Sequence, residues 1–232
     1  MSDFSKIADK YRLGYKEMAV THSDIVKQVG DPRHVGGVCG ALTMIYLSRY
    51  FKSSMDDDPF SGKTFSEIIQ NLDDLKSKML IVQLQQLETS RNAVFDKNNN
   101  DDVLKGVNFF NIFMSSMKSL GAVGLTLQNP YNNHFGSIED GPPFAKIASY
   151  VAKKHGVHFI KFPNHYVGAV VDDSRFKYKF LDVNYGQAIT SNAKAFSDFL
   201  HTYFNSSTVK GWLLNSGYGS TGQKGLNVHA SF

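Results

Sequence analysis

The chain has 232 residues, 42% apolar and 13% aromatic, enough to bury a sizeable core in one large domain or two small ones. The net charge is only +4, and no Lys/Arg cluster is interleaved with aromatics, which argues against a nucleic-acid-binding surface. A single cysteine, Cys39, cannot form an internal disulfide, so the fold does not depend on oxidation and a reducing working compartment is expected.

The opening stretch MSDFSKIADKYRLGYKEM lacks the apolar core of a signal peptide. Ser2 after Met1 breaks the myristoylation pattern, and no apolar run approaches the roughly 18 residues of a membrane span. The expectation is a chain made in the cytoplasm without a cleavable signal. Residues 1–30 read as a short helical lead-in. Residues 38–51 form the first strong helix, with Val38, Leu42, Ile45, Tyr46 and Tyr50 at helical spacing. Thr64 to Glu67 is a capping box, and Phe65, Ile68, Leu72, Leu75, Met79 and Val82 then make one stripe of a helix over roughly 64–90. DKNNNDD (96–102) begins like a calcium loop, but Asp101 stands where the loop needs Gly and Val107 where it needs Glu. It reads as a solvated linker.

Residues 103–120 are helical and apolar, and Pro142 and Pro143 open a helix that runs to Lys154. The pattern then changes. VHFIKF (157–162), HYVGAVV (165–171) and FKYKFLDV (176–183) have strand length and strand composition. A helix around 191–204 follows, VKGWLL (209–214) reads as a last strand, and 217–232 as a flexible tail. Helices first and an antiparallel sheet second make an α+β chain, read as one domain, 1–232, with two lobes.

The turn at Asp172–Arg175 places chemistry. A hairpin centred between Asp173 and Ser174 sets His165 directly opposite Asp182. Directly opposed side chains share a face, about 4.5–5.5 Å apart at Cβ, so the carboxylate would accept from the imidazole. A shift by one residue would send one of the pair to the other face. Cys39, after Gly36-Gly37 at the start of an apolar helical pattern, is a candidate nucleophile. A thiol attacks carbonyls as its thiolate, which a helix N-terminus and a neighbouring imidazolium both favour. Asp182 would orient and charge-stabilise that imidazole. The bland alternative is a small buried cysteine that packs a helix. Metal and phosphate chemistry is not indicated: HExxH, CxxC, GxxxxGK[ST] and GxGxxG are all absent.

GGVCGALTMIYL, NHYVGAVV and FLDVNYGQ, in that order, resemble the YopT-type (YopT/AvrPphB-like) papain-like cysteine peptidases, which are bacterial effectors. Cys39 with Leu42, Thr43 and Tyr46 matches the first block. His165 with Gly168 matches the second, and Asp182 with Phe180, Asn184 and Gly186 the third. The resemblance implies a papain-like fold, in which a helical lobe carrying the nucleophile packs against a sheet lobe carrying His and Asp. It implies thiol proteolysis by Cys39, His165 and Asp182 without cofactor or metal. It also implies a protein substrate in a host or target cell, reached by secretion; whether 1–30 is a secretion or chaperone-binding segment, with a secretion chaperone as partner, stays open at this point. Papain-like enzymes hold the oxyanion with the cysteine N–H plus a side-chain donor just upstream. Residues 30–38 hold neither Gln nor Asn, so the candidates are His34, Gln28 and the N–H of Cys39 itself. Two readings stand beside proteolysis: a deamidase, transglutaminase or acyltransferase using the same triad, and a non-catalytic binding module with an unreactive Cys39. Gln187 is a subsidiary candidate for the third member.

Overall fold

The computed structural model describes residues 2–17, 39–40, 42–44, 46–47, 144–162, 165–215 and 227–231. The expected helices over 64–90 and 103–120, and the 96–102 segment, lie outside these residues. The chain divides into two compact units, residues 1–18 with 133–231, and residues 19–132 with 232.

The first unit is built on a six-stranded sheet. Its elements are α1 (Asp3–Lys10), β1 (Gly14–Glu17), α2 (Phe144–Lys153), β2 (Gly156–Phe162), β3 (His165–Asp172), β4 (Lys177–Asp182), β5 (Gly186–Thr190), α3 (Ala193–Phe204), α4 (Ser207–Asn215) and β6 (Asn227–Ser231). The strand order is β1-β5-β4-β3-β2-β6, and every neighbouring pair is antiparallel. The α+β class expected from the sequence is what the chain has.

Local chemistry explains each boundary. Ser2 caps α1 by accepting from the Ser5 N–H at 3.2 Å, and Asp3 and Lys10 complement the helix dipole. Asn192 caps α3 through the Ala195 N–H at 3.0 Å, and Phe196, Phe199, Leu200 and Tyr203 then recur on one buried face. That face, with Phe4 and Ala8 of α1 and Ile147 and Val151 of α2, packs on Ile160, Phe162, Val167, Ala169 and Phe180 of the sheet. Phe4 sits at the centre: its ring lies 5.1–6.4 Å from those of Tyr15, Phe180, Tyr185, Phe199 and Tyr203. The sheet's other face is buried too, at Val157, Phe159, Val170 and Leu181. Near-continuous apolar strands such as HYVGAVV reflect that two-sided burial.

Four details depart from the sequence reading. Residues 3–17, set aside within the 1–30 lead-in, carry α1 and edge strand β1, with Phe4 and Ala8 fully buried. VKGWLL is helical, within α4: Ser206 Oγ accepts from the Val209 N–H at 3.4 Å, and Ser207 and Thr208 hydroxyls donate to Asp3 at 2.7 and 3.0 Å. Tertiary contact with α1 overrides the β-leaning composition. Within 217–232, residues 227–231 form β6, an edge strand on β2 whose pairing the Gly/Ser-rich residues before it conceal. Strand β5 was missed because it holds only five residues and starts at a glycine. Gly186 has φ +151°, and a Cβ there would stand 2.3 Å from the Lys16 carbonyl oxygen of β1.

His158 on β2 is fully buried and its Nε2 donates to the Lys154 carbonyl at 2.8 Å, just beyond the end of α2, while Nδ1 has no partner. Burial lowers its pKa from 6.5 to about 4. The unfolded chain therefore binds more protons between those values. Stability is full above pH 6.5 and falls as pH drops toward 4, by an amount on the order of 3 kcal/mol. Urea unfolding at stepped pH is expected to show this acid loss, and His158→Gln to reduce it.

Candidate active site

The β3–β4 hairpin determines where two of the predicted residues stand. Asp172 pairs with Lys177, and the loop between them holds four residues. Asp172 Oδ1 accepts from the Ser174 hydroxyl at 2.6 Å and the Arg175 N–H at 3.1 Å, and Phe176 turns the chain with φ +51°. The hairpin is therefore centred one residue later than expected. Val167, not His165, lies opposite Asp182. The change in pairing is two residues, so face parity survives: His165 and Asp182 sit diagonally on the helix-covered face.

The diagonal is short enough for contact. His165 Nε2 and Asp182 Oδ1 are 2.9 Å apart, with His165 4% exposed and Asp182 0%. With Nε2 protonated, the imidazole donates to the carboxylate. Asp182 is held by two further donors. The Asn184 N–H reaches Oδ1 at 2.9 Å, and the Tyr203 hydroxyl reaches Oδ2 at 2.5 Å. The Tyr185 N–H closes the turn on the Asp182 carbonyl at 3.0 Å. These contacts account for the block FLDVNYG in structural terms. Asp182 supplies the carboxylate, Asn184 and Tyr185 lock the turn that aims it, and Gly186 lets β5 approach β1.

Tyr203 was not singled out in the sequence. It belongs to the apolar stripe of α3, and its hydroxyl was the available signal, since a buried tyrosine needs a polar partner. Burial, and then the Asp182 charge, push the Tyr203 phenol well above its ordinary 10, so it keeps its proton and donates. The same two causes raise Tyr185.

Cys39 lies in the second unit. It is helical and 5% exposed, and the described residues that follow it at 42–44 and 46–47 are helical as well. Leu42, Thr43 and Tyr46, the partners of Cys39 in the motif, are buried. His34 and Gln28, the side-chain oxyanion candidates, lie outside the described residues. Gln187 is buried on β5, on the sheet face opposite Asp182, because neighbouring strand positions alternate between faces. Among the described residues no cluster of His, Cys, Asp or Glu is arranged to hold a metal, and no helix is long and apolar enough to cross a membrane.

No family model and no curated protein matches the chain. Among solved structures it is similar to the crystal structure of the Pseudomonas avirulence protein AvrPphB, with a TM-score of 0.56 and 12% identity over 97% of this chain and 99% of that one. What the likeness shows is the fold: an α+β chain like that of AvrPphB.

Proposed function

We propose that the chain is a papain-like thiol endopeptidase of the YopT type, delivered from a bacterium to cleave a protein of a host or target cell. In this reading a helical lobe carries Cys39 as nucleophile, and the sheet lobe supplies His165 as base and acid and Asp182 as its orienter. The observation that carries the proposal is the buried 2.9 Å His165–Asp182 hydrogen bond, on the strands of two of the three motif blocks. The fold likeness to AvrPphB supports it.

The chemistry follows from which nitrogen is engaged. Asp182 holds Nε2, and in this reading Nδ1 serves the thiol. Nδ1 removes the Sγ proton, giving a thiolate–imidazolium pair. The sulfur attacks the scissile carbonyl carbon, and the oxyanion is held by the Cys39 N–H and one upstream donor, His34 or Gln28. Collapse breaks the C–N bond, and the Nδ1 proton leaves with the amine. Water, deprotonated by His165, then hydrolyses the thioester and restores the thiol.

The test is incubation with target-cell lysate beside the Cys39→Ala variant. New protein termini that require Cys39 are the expected result. A mass gain at Gln or Asn without cleavage would reassign the same residues to deamidation, and no Cys39-dependent change would remove the enzyme reading.

A further inference from the structure

We infer that Tyr203 is a positioning residue of the proposed site, setting the strength of the Asp182–His165 pair from α3. The inference rests on the proposed triad for its consequence in catalysis, but not for its geometry.

Asp182 Oδ1 already serves two N–H donors, from His165 and Asn184, while among the described residues Oδ2 accepts from the Tyr203 hydroxyl alone. A charge-assisted O–H donor at 2.5 Å on a buried carboxylate withdraws electron density that would otherwise go to the imidazole. The ring that carries this hydroxyl is braced. Phe4 meets it edge-on at 5.1 Å, Phe180 at 5.5 Å, and Phe199 stacks on it at 5.8 Å. The remaining titratable groups described around the pair are Tyr185, in the turn after Asp182, and Asp3 at the start of α1. The side-chain donors on the carboxylate are His165 and Tyr203, so Tyr203 is the side chain outside the proposed triad whose removal changes the field at Asp182 without altering the backbone turn.

Tyr203→Phe leaves the ring and removes the donor. The Asp182 carboxylate then pairs more strongly with the protonated ring, so the pH at which His165 takes up its proton rises, by about one unit if one charged hydrogen bond is lost. The readout is the His165 titration midpoint by NMR in the Cys39→Ala chain, which needs no substrate and no thiolate. A second arm places 3-fluorotyrosine at position 203. Its more acidic hydroxyl is a stronger donor and moves the midpoint down; this arm decides alone if the Phe variant does not fold. Opposite shifts in the two arms are the expected result. An unchanged midpoint, or shifts of the same sign, would overturn the inference, since a purely space-filling tyrosine has no reason to reverse sign. Failure here is distinguishable from failure of the proposed function. An inert Cys39 with the two shifts intact removes the protease and leaves the coupling. A reactive Cys39 with no shift removes the coupling alone.

Discussion

Phe4→Ala is expected to destabilise the sheet unit by about 3–5 kcal/mol, the range for truncating a fully buried phenylalanine. Phe4 is 0% exposed and touches rings from β1, β4, α3 and the turn after Asp182, so no single neighbour can collapse into the space it leaves. Phe176, 67% exposed at the hairpin tip, is the control: Phe176→Ala should change stability by less than about 0.5 kcal/mol. Urea unfolding with unchanged m-values checks both. A small effect at Phe4 would mean that α1 is the separable lead-in suggested by the sequence.

For the proposed peptidase, Asp182→Ala is expected to lower kcat/KM on the order of 10⁴, less than loss of Cys39 or His165, because it removes the orienter and not a reacting group. It leaves His165 without its acceptor and leaves the Asn184 N–H and Tyr203 hydroxyl facing a void. Each orphaned donor adds about 1–3 kcal/mol of destabilisation. Asp182→Asn should fall between this variant and the parent. Its amide oxygen still accepts from Nε2–H and the Asn184 N–H, while its NH₂ meets the Tyr203 oxygen. Kinetics on a cleaved target, beside thermal melts of the same samples, separate the catalytic loss from the structural one.

The sheet and its site were legible to different depths. Strands β2, β3 and β4 stood out because β-branched and aromatic residues fill both faces, and α3 because its apolar residues recur at helical spacing. The pairing of His165 with Asp182 was reached through a register that was wrong by two residues. It survived because side chains alternate with period two, so an even error preserves the face. The left-handed Phe176 that caused the error has no signature in the sequence, since a bulky residue rarely adopts that conformation. Elements that depend on distant partners were missed for a shared reason. Strand β5 needs β1 and β4, α4 needs Asp3, and β6 needs β2; none carries a local pattern strong enough to declare itself. Tyr203 was hidden differently: it satisfies the helical stripe, and only the carboxylate twenty-one residues earlier reveals its second role.

The central claim is that His165, held by Asp182, activates Cys39, and the most direct measurement is the rate of Cys39 labelling by iodoacetamide as a function of pH, with and without His165→Ala. A thiolate–imidazolium pair predicts fast labelling that persists well below the ordinary thiol pKa of about 8.5, and that falls about tenfold per pH unit once the imidazole is removed. Slow labelling with the profile of a free thiol, unaltered by His165→Ala, would contradict the account and return Cys39 to the role of a small buried residue packing its helix.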